Sequence, residues 1–349
     1  MKFYLAPLEG ITGYIYRNAL EKYFPGADRY FTPFIMPNQH KMLRTKELRD
    51  VLPENNRVPD LIPQILTNQA EHFLETARQL EEMGYQEVNL NLGCPSGTVV
   101  SKKRGSGLLA YPEELDRFLD EIFSKSPVRI SVKTRIGRDN TADAFLLMEI
   151  YRKYPLSELI IHPRTQKEFY RGVPDQGLFG ELARAYRCDD TAPAIDCSET
   201  SQNAEHSNFN AVQRTICYNG NLLTNKDYLD FTAKFPDIPA VMLGRGVIAN
   251  PGLLRQIRTG IPTDRPTLRA FHDEILENYR EAFGSDNNAL FRMKELWIYM
   301  IHLFTDSDRY KKKIHKAQNL ADYRCIVDAL FREQTLLTEG PAQWVLPQK

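Results

Sequence analysis

Residues 214–246 read RTICYNGNLLTNKDYLDFTAKFPDIPAVMLGRG. A β-branched and aromatic run, 214–219, ends in Asn219-Gly220-Asn221. Thr224 then stands where a helix N-cap belongs, a helical stretch follows over 224–234, and a second apolar run, 239–243, ends in Gly244-Arg245-Gly246. Strand, turn, helix, strand is the unit of a parallel sheet, because parallel neighbours need a crossover between them.

Outward from this stretch the same rhythm recurs. Strands are predicted at 3–6, 29–35, 61–66, 86–91, 128–133 and 158–162, which with the two above makes eight. Helices are predicted at 12–24, 69–83, 112–123, 141–154 and 176–187, with Asn68 as a further N-cap; the connection over 36–60 has no clear pattern. Eight βα units close most economically as a (β/α)8 TIM barrel. After Pro251 the strand signals stop, and helices are predicted at 266–283, 287–304, 309–316 and 319–335. The predicted organisation is a barrel over 1–255 followed by a small all-helical domain over 256–349.

Composition narrows the function classes. Lys plus Arg number 45 and Asp plus Glu number 45, so no sequence-wide field draws the chain to nucleic acid or membrane, and any RNA affinity must be local. Five scattered cysteines, Cys94, Cys188, Cys197, Cys217 and Cys325, argue against a disulfide framework and point to a reducing cytoplasm. Neither a signal peptide nor a membrane span is expected. Residues 188–213 are polar and long for a helix-to-strand link; a zinc site from Cys188, Cys197 and His206 lacks ligand spacing, and a mobile surface insertion is the reading preferred.

Barrel chemistry sits at the C-terminal ends of strands, and seven of the eight ends are polar or glycine-rich. Strand one ends in Ala6-Pro7-Leu8-Glu9-Gly10, strand three in Pro63-Gln64, and strand four in Asn89-Leu90-Asn91-Leu92-Gly93-Cys94-Pro95. Strands five and six end in Lys133-Thr134-Arg135 and His162-Pro163-Arg164-Thr165. The glycines and Arg245 after the last two strands, with a short helix starting near Val247, suit a phosphate, so a phosphate-bearing cofactor or substrate is expected. Lys133 is expected to face the barrel axis, where a cation can hold charge on a reduced flavin ring, and Gln64 to read the ring's polar edge. Asn89 and Asn91 alternate along one strand and so share a face, on which amides can bind a uracil-like edge. Cys94, between Gly93 and Pro95, is open to three roles: nucleophile, metal ligand or general acid. The acid role needs a thiol that keeps its proton, which an ordinary pKa of ~8.5 permits.

In order and spacing, APLEGITGYIYR (6–17), NLNLGCPSGTV (89–99), SVKTRIG (131–137), IIHPRT (160–165), CYNGN (217–221) and VMLGRGVIANPGLL (241–254) resemble the motifs of the tRNA-dihydrouridine synthases. The helical tail, with MKELW (293–297), resembles that family's RNA-binding domain. The resemblance implies FMN, NADPH as reductant, hydride delivery to carbon 6 of a tRNA uridine and protonation of carbon 5 by Cys94. It also implies that Pro7, Leu8, Glu9, Gln64, Lys133, His162, Asn219, Gly220, Asn221, Gly244 and Arg245 contact FMN. Asn91 would touch the uracil, and Arg135 and Arg164 would face the substrate, which is expected to be the D-loop. No metal and no protein partner are expected. The sequence departs from the family's usual Asp at Asn89 and Asn221, from its Asp-Trp at Asp175-Gln176, and in the 188–213 insertion. Rival readings are an FMN barrel dehydrogenase of a free pyrimidine, and a tRNA-binding flavoprotein with little turnover. In the tail, Lys311-Lys312-Lys313, with His315, Lys316, Tyr310 and Tyr323 nearby, is either a phosphate-binding patch or a solvated face offset by Asp306, Asp308 and Asp322.

Overall fold

The computed structural model describes residues 1–187 and 214–338. The candidate ligands Cys188, Cys197 and His206 lie outside them. All strands are parallel: β1 (Lys2–Leu5), β2 (Arg29–Phe31), β3 (Leu61–Ile62), β4 (Gln64–Ile65), β5 (Glu87–Leu92), β6 (Arg129–Arg135), β7 (Leu159–His162), β8 (Ile216–Tyr218) and β9 (Ala240–Leu243). The order is β3-β2-β1-β9-β8-β7-β6-β5-β4. The two ends of that order, β3 and β4, are halves of the single predicted third strand, split at Pro63. Proline brings no N–H to a ladder, so the strand changes partner there: Phe31 pairs with Ile62, and Gln64 pairs with Asn89. Through Pro63 the sheet returns to itself and the eight-unit barrel closes.

The period of two decides which residues line the axis. Tyr4, Ala6, Phe31, Ile62, Ile160, Cys217, Ala240 and Met242 form an apolar cluster of their own inside the barrel. The alternate residues, Phe3, Leu5, Leu90, Val132, Ile161 and Val241 among them, join the larger core that packs the strands under the helices. Burial of each such side chain contributes ~1.5–3 kcal/mol. Above the inner apolar cluster, on the same inward parity, come Gln64, Asn89, Asn91, Ser131, Lys133 and His162, so the barrel turns polar towards the C-terminal ends of its strands.

Predicted helices appear as Tyr14–Tyr23, Ala70–Glu82, Pro112–Lys125, Ala144–Arg152, Gln176–Arg187 and Asn225–Lys234. Thr224 caps the last of these, its side chain accepting from the Asp227 N–H at 3.1 Å. Asn68 is not a cap: Gln69 occupies that position, and the Asn68 amide donates to the Lys102 carbonyl instead. The indistinct 36–60 connection contains a helix, Thr45–Val51. Its inward positions include Glu47 and Asp50, both buried, so it shows no apolar period to read.

The tail forms helices Arg265–Phe283, Asp286–Met300, Ser307–Lys316 and Leu320–Glu333. Its core is continuous with that of the barrel's helical ring, with the Phe271 ring edge-on to Tyr16 and Phe24 at 5.7 and 5.6 Å between centroids. The Arg292 guanidinium donates to the Gly10 carbonyl, at 3.3 Å, which ties the tail to the loop after β1. No helix among the described residues is long and apolar enough to cross a membrane.

Candidate active site

The registers bring the polar strand ends together as a linked set. Asn91 Nδ2 donates to Gln64 Oε1 at 2.7 Å, Gln64 Nε2 donates to Asn89 Oδ1 at 2.8 Å, and Asn89 Nδ2 donates to Ser131 Oγ at 2.9 Å. This chain fixes which end of each amide is donor and which acceptor. Each carboxamide still keeps one donor hydrogen or lone pair for a ligand.

Asn91 also builds the cysteine loop. Its Oδ1 accepts the backbone N–H groups of Gly93 (3.0 Å) and Cys94 (2.9 Å), and the Cys94 carbonyl accepts from Ser106 Oγ at 2.8 Å. Gly105, at φ +54, approaches so closely that an added Cβ would meet the Cys94 carbonyl at 2.9 Å. The backbone of Cys94 is therefore held from both sides while its thiol is partly exposed. Burial pushes that thiol above its ordinary pKa, against the opposing pull of the Ser96 N–H, Arg135 and Lys133, so it carries its proton at neutral pH.

Four cations gather at the mouth. Lys133 is pushed down to about 8 by burial and by Arg135, and its ammonium has no hydrogen-bond partner among the described residues. Arg164 is pushed down to about 10 by burial, with Arg245 and Arg135 as like charges, and Arg135 and Arg245 are lowered mainly by burial. None of the four has an ion-paired carboxylate among the described residues. His162 is held well below its ordinary value by burial and by these cations, so its ring is neutral. Arg164 Nη1 lies 3.1 Å from His162 Nε2, and a guanidinium can only donate, so Nε2 accepts and the ring proton sits on Nδ1. A desolvated excess of positive charge is costly on its own, which marks the mouth as a place for an anion.

The expected phosphate residues converge. Arg245 Nη2 and Arg164 Nη1 both donate to Asn221 Oδ1, at 2.5 and 3.2 Å, and Asn219 Nδ2 donates to the Met242 carbonyl at 2.8 Å. An added Cβ would meet Tyr218 Oη at 2.0 Å at Gly220, the Leu222 carbonyl at 2.5 Å at Gly246, and Ala6 and Leu8 at 3.2 Å at Gly244. Pro7 and Leu8 stand half-buried beside this cradle, with the Leu8 N–H donating to Thr12 Oγ1. Glu9 is on the exposed rim, ion-paired with Lys46.

Arg135 and Arg164, expected on the substrate side, are both fully buried and spend donors on loop carbonyls. Arg135 binds those of Gly93 (2.9 Å) and Thr165 (2.7 Å), and Arg164 those of Arg171 (3.0 Å) and Gly172 (2.5 Å). They hold the loops after β5 and β7 at the mouth. Sequence reasoning missed Tyr170, half exposed, whose ring lies 5.5 Å from the Arg135 guanidinium and 4.9 Å from that of Arg245. Its one sequence signal is an aromatic residue in the polar loop that follows His162. Tyr299 of the tail was missed as well; its hydroxyl lies within electrostatic reach of Arg245 and Tyr170.

Residues 4–176 match the family described as dihydrouridine synthase. Over 330 residues the chain is 24% identical to a "Probable tRNA-dihydrouridine synthase" of Staphylococcus aureus (strain COL), covering 93% of this chain and 92% of that protein. It is 24% identical over 289 residues to tRNA-dihydrouridine synthase B of Pasteurella multocida, covering 80% and 77%. Among solved structures, a morphinone reductase aligns over 77% of this chain and 88% of its own at 12% identity, with a TM-score of 0.48.

Proposed function

Since the chain belongs to the tRNA-dihydrouridine synthase family and is an oxidoreductase of that kind, we propose that it reduces the 5,6 double bond of D-loop uridines in tRNA, with FMN at the barrel mouth, NADPH as reductant and Cys94 as proton donor. The observation that carries the reading is a partly exposed thiol on a fixed backbone beside a cationic, amide-lined mouth.

The donor set suits FMN. Arg245, Asn219, Asn221 and the glycines at 220 and 244 would hold its phosphate, with Pro7, Leu8, Glu9 and His162 around it and Arg164 steadying the Asn221 amide. Gln64 and Lys133 would meet the polar edge of its ring, where the Lys133 ammonium balances negative charge. When reduced, the flavin supplies a hydride for carbon 6 of the uracil.

Carbon 5 must then gain a proton from a separate acid, because a flavin held by one face delivers only the hydride. Cys94 gives that proton, and the thiolate left behind is stabilised by Arg135, Lys133 and the Ser96 N–H, the groups that already pull its pKa down. Asn91 holds the cysteine loop with Oδ1 and keeps one amide hydrogen for the uracil. Arg135 and Arg164 act on substrate through the loops they fasten and the positive field they set. The uridine must leave its stack to enter such a mouth. The tail, 256–349, serves as the RNA-binding domain; Lys311, Lys312 and Lys313 have no ion pair among the described residues, whereas Asp306 pairs with Arg309.

The test is to map dihydrouridine in tRNA from cells with and without the gene, and to measure turnover by purified protein on unmodified tRNA and on free pyrimidines. Dihydrouridine lost at defined positions, with turnover on tRNA alone, is the expected result. Turnover on free pyrimidines, or tRNA binding without turnover, would replace the reading.

A further inference from the structure

A cavity of about 220 Å³ lies where the loop after β1, the helix Thr45–Val51 and the tail helix Arg265–Phe283 meet. It is separate from the barrel axis but on the same face as Cys94, since its barrel walls follow the C-terminal ends of β1 and β2. Glu9 links the two places: its carboxylate pairs with Lys46 on the cavity wall, and its charge is felt at the Cys94 thiol.

The lining has three kinds of group. Tyr279 and Phe283 stack with ring centroids 5.5 Å apart and planes 5° from parallel, and Phe283 is 39% exposed at the end of its helix, with Tyr14 also on the wall. Arg49 is exposed and has no ion pair among the described residues. At the back, buried Asp50 accepts the Tyr14 N–H on Oδ1 at 2.8 Å, and Oδ2 has no hydrogen bond among the described residues. An apolar side chain would use the rings but not Arg49 or Asp50, and an isolated phosphate would use Arg49, with Lys46 and Arg292 on the same wall already paired to Glu9 and Glu295, but neither the rings nor Asp50. A nucleobase with its adjoining phosphate uses all three: a stacking face, an acceptor for a ring or amino N–H, and a cation.

We infer that this cavity is a second subsite for the RNA strand, taking an unstacked base that neighbours the reduced uridine and so setting which uridine reaches Cys94. The inference rests on the tRNA reading above. The RNA strand is favoured over the dinucleotide reductant, which also has a base and phosphates, because one wall belongs to the tail and the cavity stands outside the axis where hydride must be delivered.

The test uses flavin-loaded full-length protein with Phe283→Leu, Phe283→Trp and Arg49→Gln. Phe283→Leu should weaken binding of an unmodified tRNA transcript by about tenfold to a hundredfold, the range for loss of one base stack. Phe283→Trp, which keeps a stacking face, should retain wild-type affinity. Arg49→Gln should lower the salt slope of tRNA binding by about one unit. Flavin content, melting temperature and the KM for NADPH in flavin reduction should not move. Unchanged tRNA affinity in Phe283→Leu and Arg49→Gln, equal losses in the Leu and Trp variants, or a change confined to the KM for NADPH would each overturn the subsite. If the wild-type protein reduced no tRNA the functional reading itself would fall; if it reduced tRNA and the variants matched it, only the subsite would.

Discussion

Replacing Cys94 by Ala removes one sulfur from a loop whose geometry does not depend on it. The backbone N–H of residue 94 is held by Asn91 Oδ1 at 2.9 Å and its carbonyl by Ser106 Oγ at 2.8 Å, and both bonds survive the change. The lost side chain is only partly buried, so the cavity cost is small beside the total stability of a domain this size. Flavin content, tRNA affinity and the rate of flavin reduction by NADPH should therefore stay at wild-type values. What should disappear is the proposed acid. Burial keeps that thiol protonated, so at neutral pH the wild-type enzyme holds a full complement of donor, whereas the variant must draw its proton from water. A positioned general acid is worth about 100-fold to 10,000-fold in rate, and the re-oxidation of pre-reduced enzyme by tRNA should slow by that factor. The assay is single-turnover stopped flow, following the flavin absorbance after mixing with unmodified tRNA. Wild-type re-oxidation in the Ala variant would refute the acid role, and a variant that lost its flavin would make Cys94 a structural residue.

The purified protein should be yellow, with about one FMN per chain, and Arg245→Ala should weaken FMN binding by about tenfold to a hundredfold, the equivalent of one charge-assisted hydrogen bond of roughly 1.5–3 kcal/mol; unchanged affinity by fluorescence titration would move the phosphate elsewhere. Lys133 loses its proton as pH rises through about 8, so the affinity for FMN and its rate of reduction should be full below that pH and decline above it. Lys133→Met should remove this step from the pH profile, and a profile that kept it would assign the titration to another group. Replacing Lys311, Lys312 and Lys313 by Ala should weaken tRNA binding and reduce its salt slope by about one unit per lost phosphate contact, with flavin reduction by NADPH unaffected. An unaltered slope would make this run a solvated helix face.

Local pattern carried much of the fold. The eight predicted strands each overlap an observed one because inward and outward residues alternate along a chain segment whatever lies across the barrel, as in Asn89-Leu90-Asn91-Leu92. Thr224 was legible as a cap because its partner, Asp227, is three residues away. The helix Thr45–Val51 was illegible because Glu47 and Asp50 face inward, and those residues are explained only by neighbours such as the Met36 and Tyr14 N–H groups that they accept. At the site, the sequence by itself determined which residue types stand at the strand ends, since these follow from strand boundaries. Their partners were decided by closure of the barrel: Asn91 meets Gln64 across 27 positions and Arg164 meets Asn221 across 57. Tyr170 lies against both Arg135 and Arg245 because the closed barrel brings three strand ends together, and Tyr299 comes within reach of Arg245 because the tail docks on the rim, with Arg292 binding Gly10 across 282 positions. A sequence pattern records the periodicity of one element, whereas burial, pKa and the excess of positive charge at the mouth depend on distances that exist only after the ring of strands has closed and the tail has packed against it.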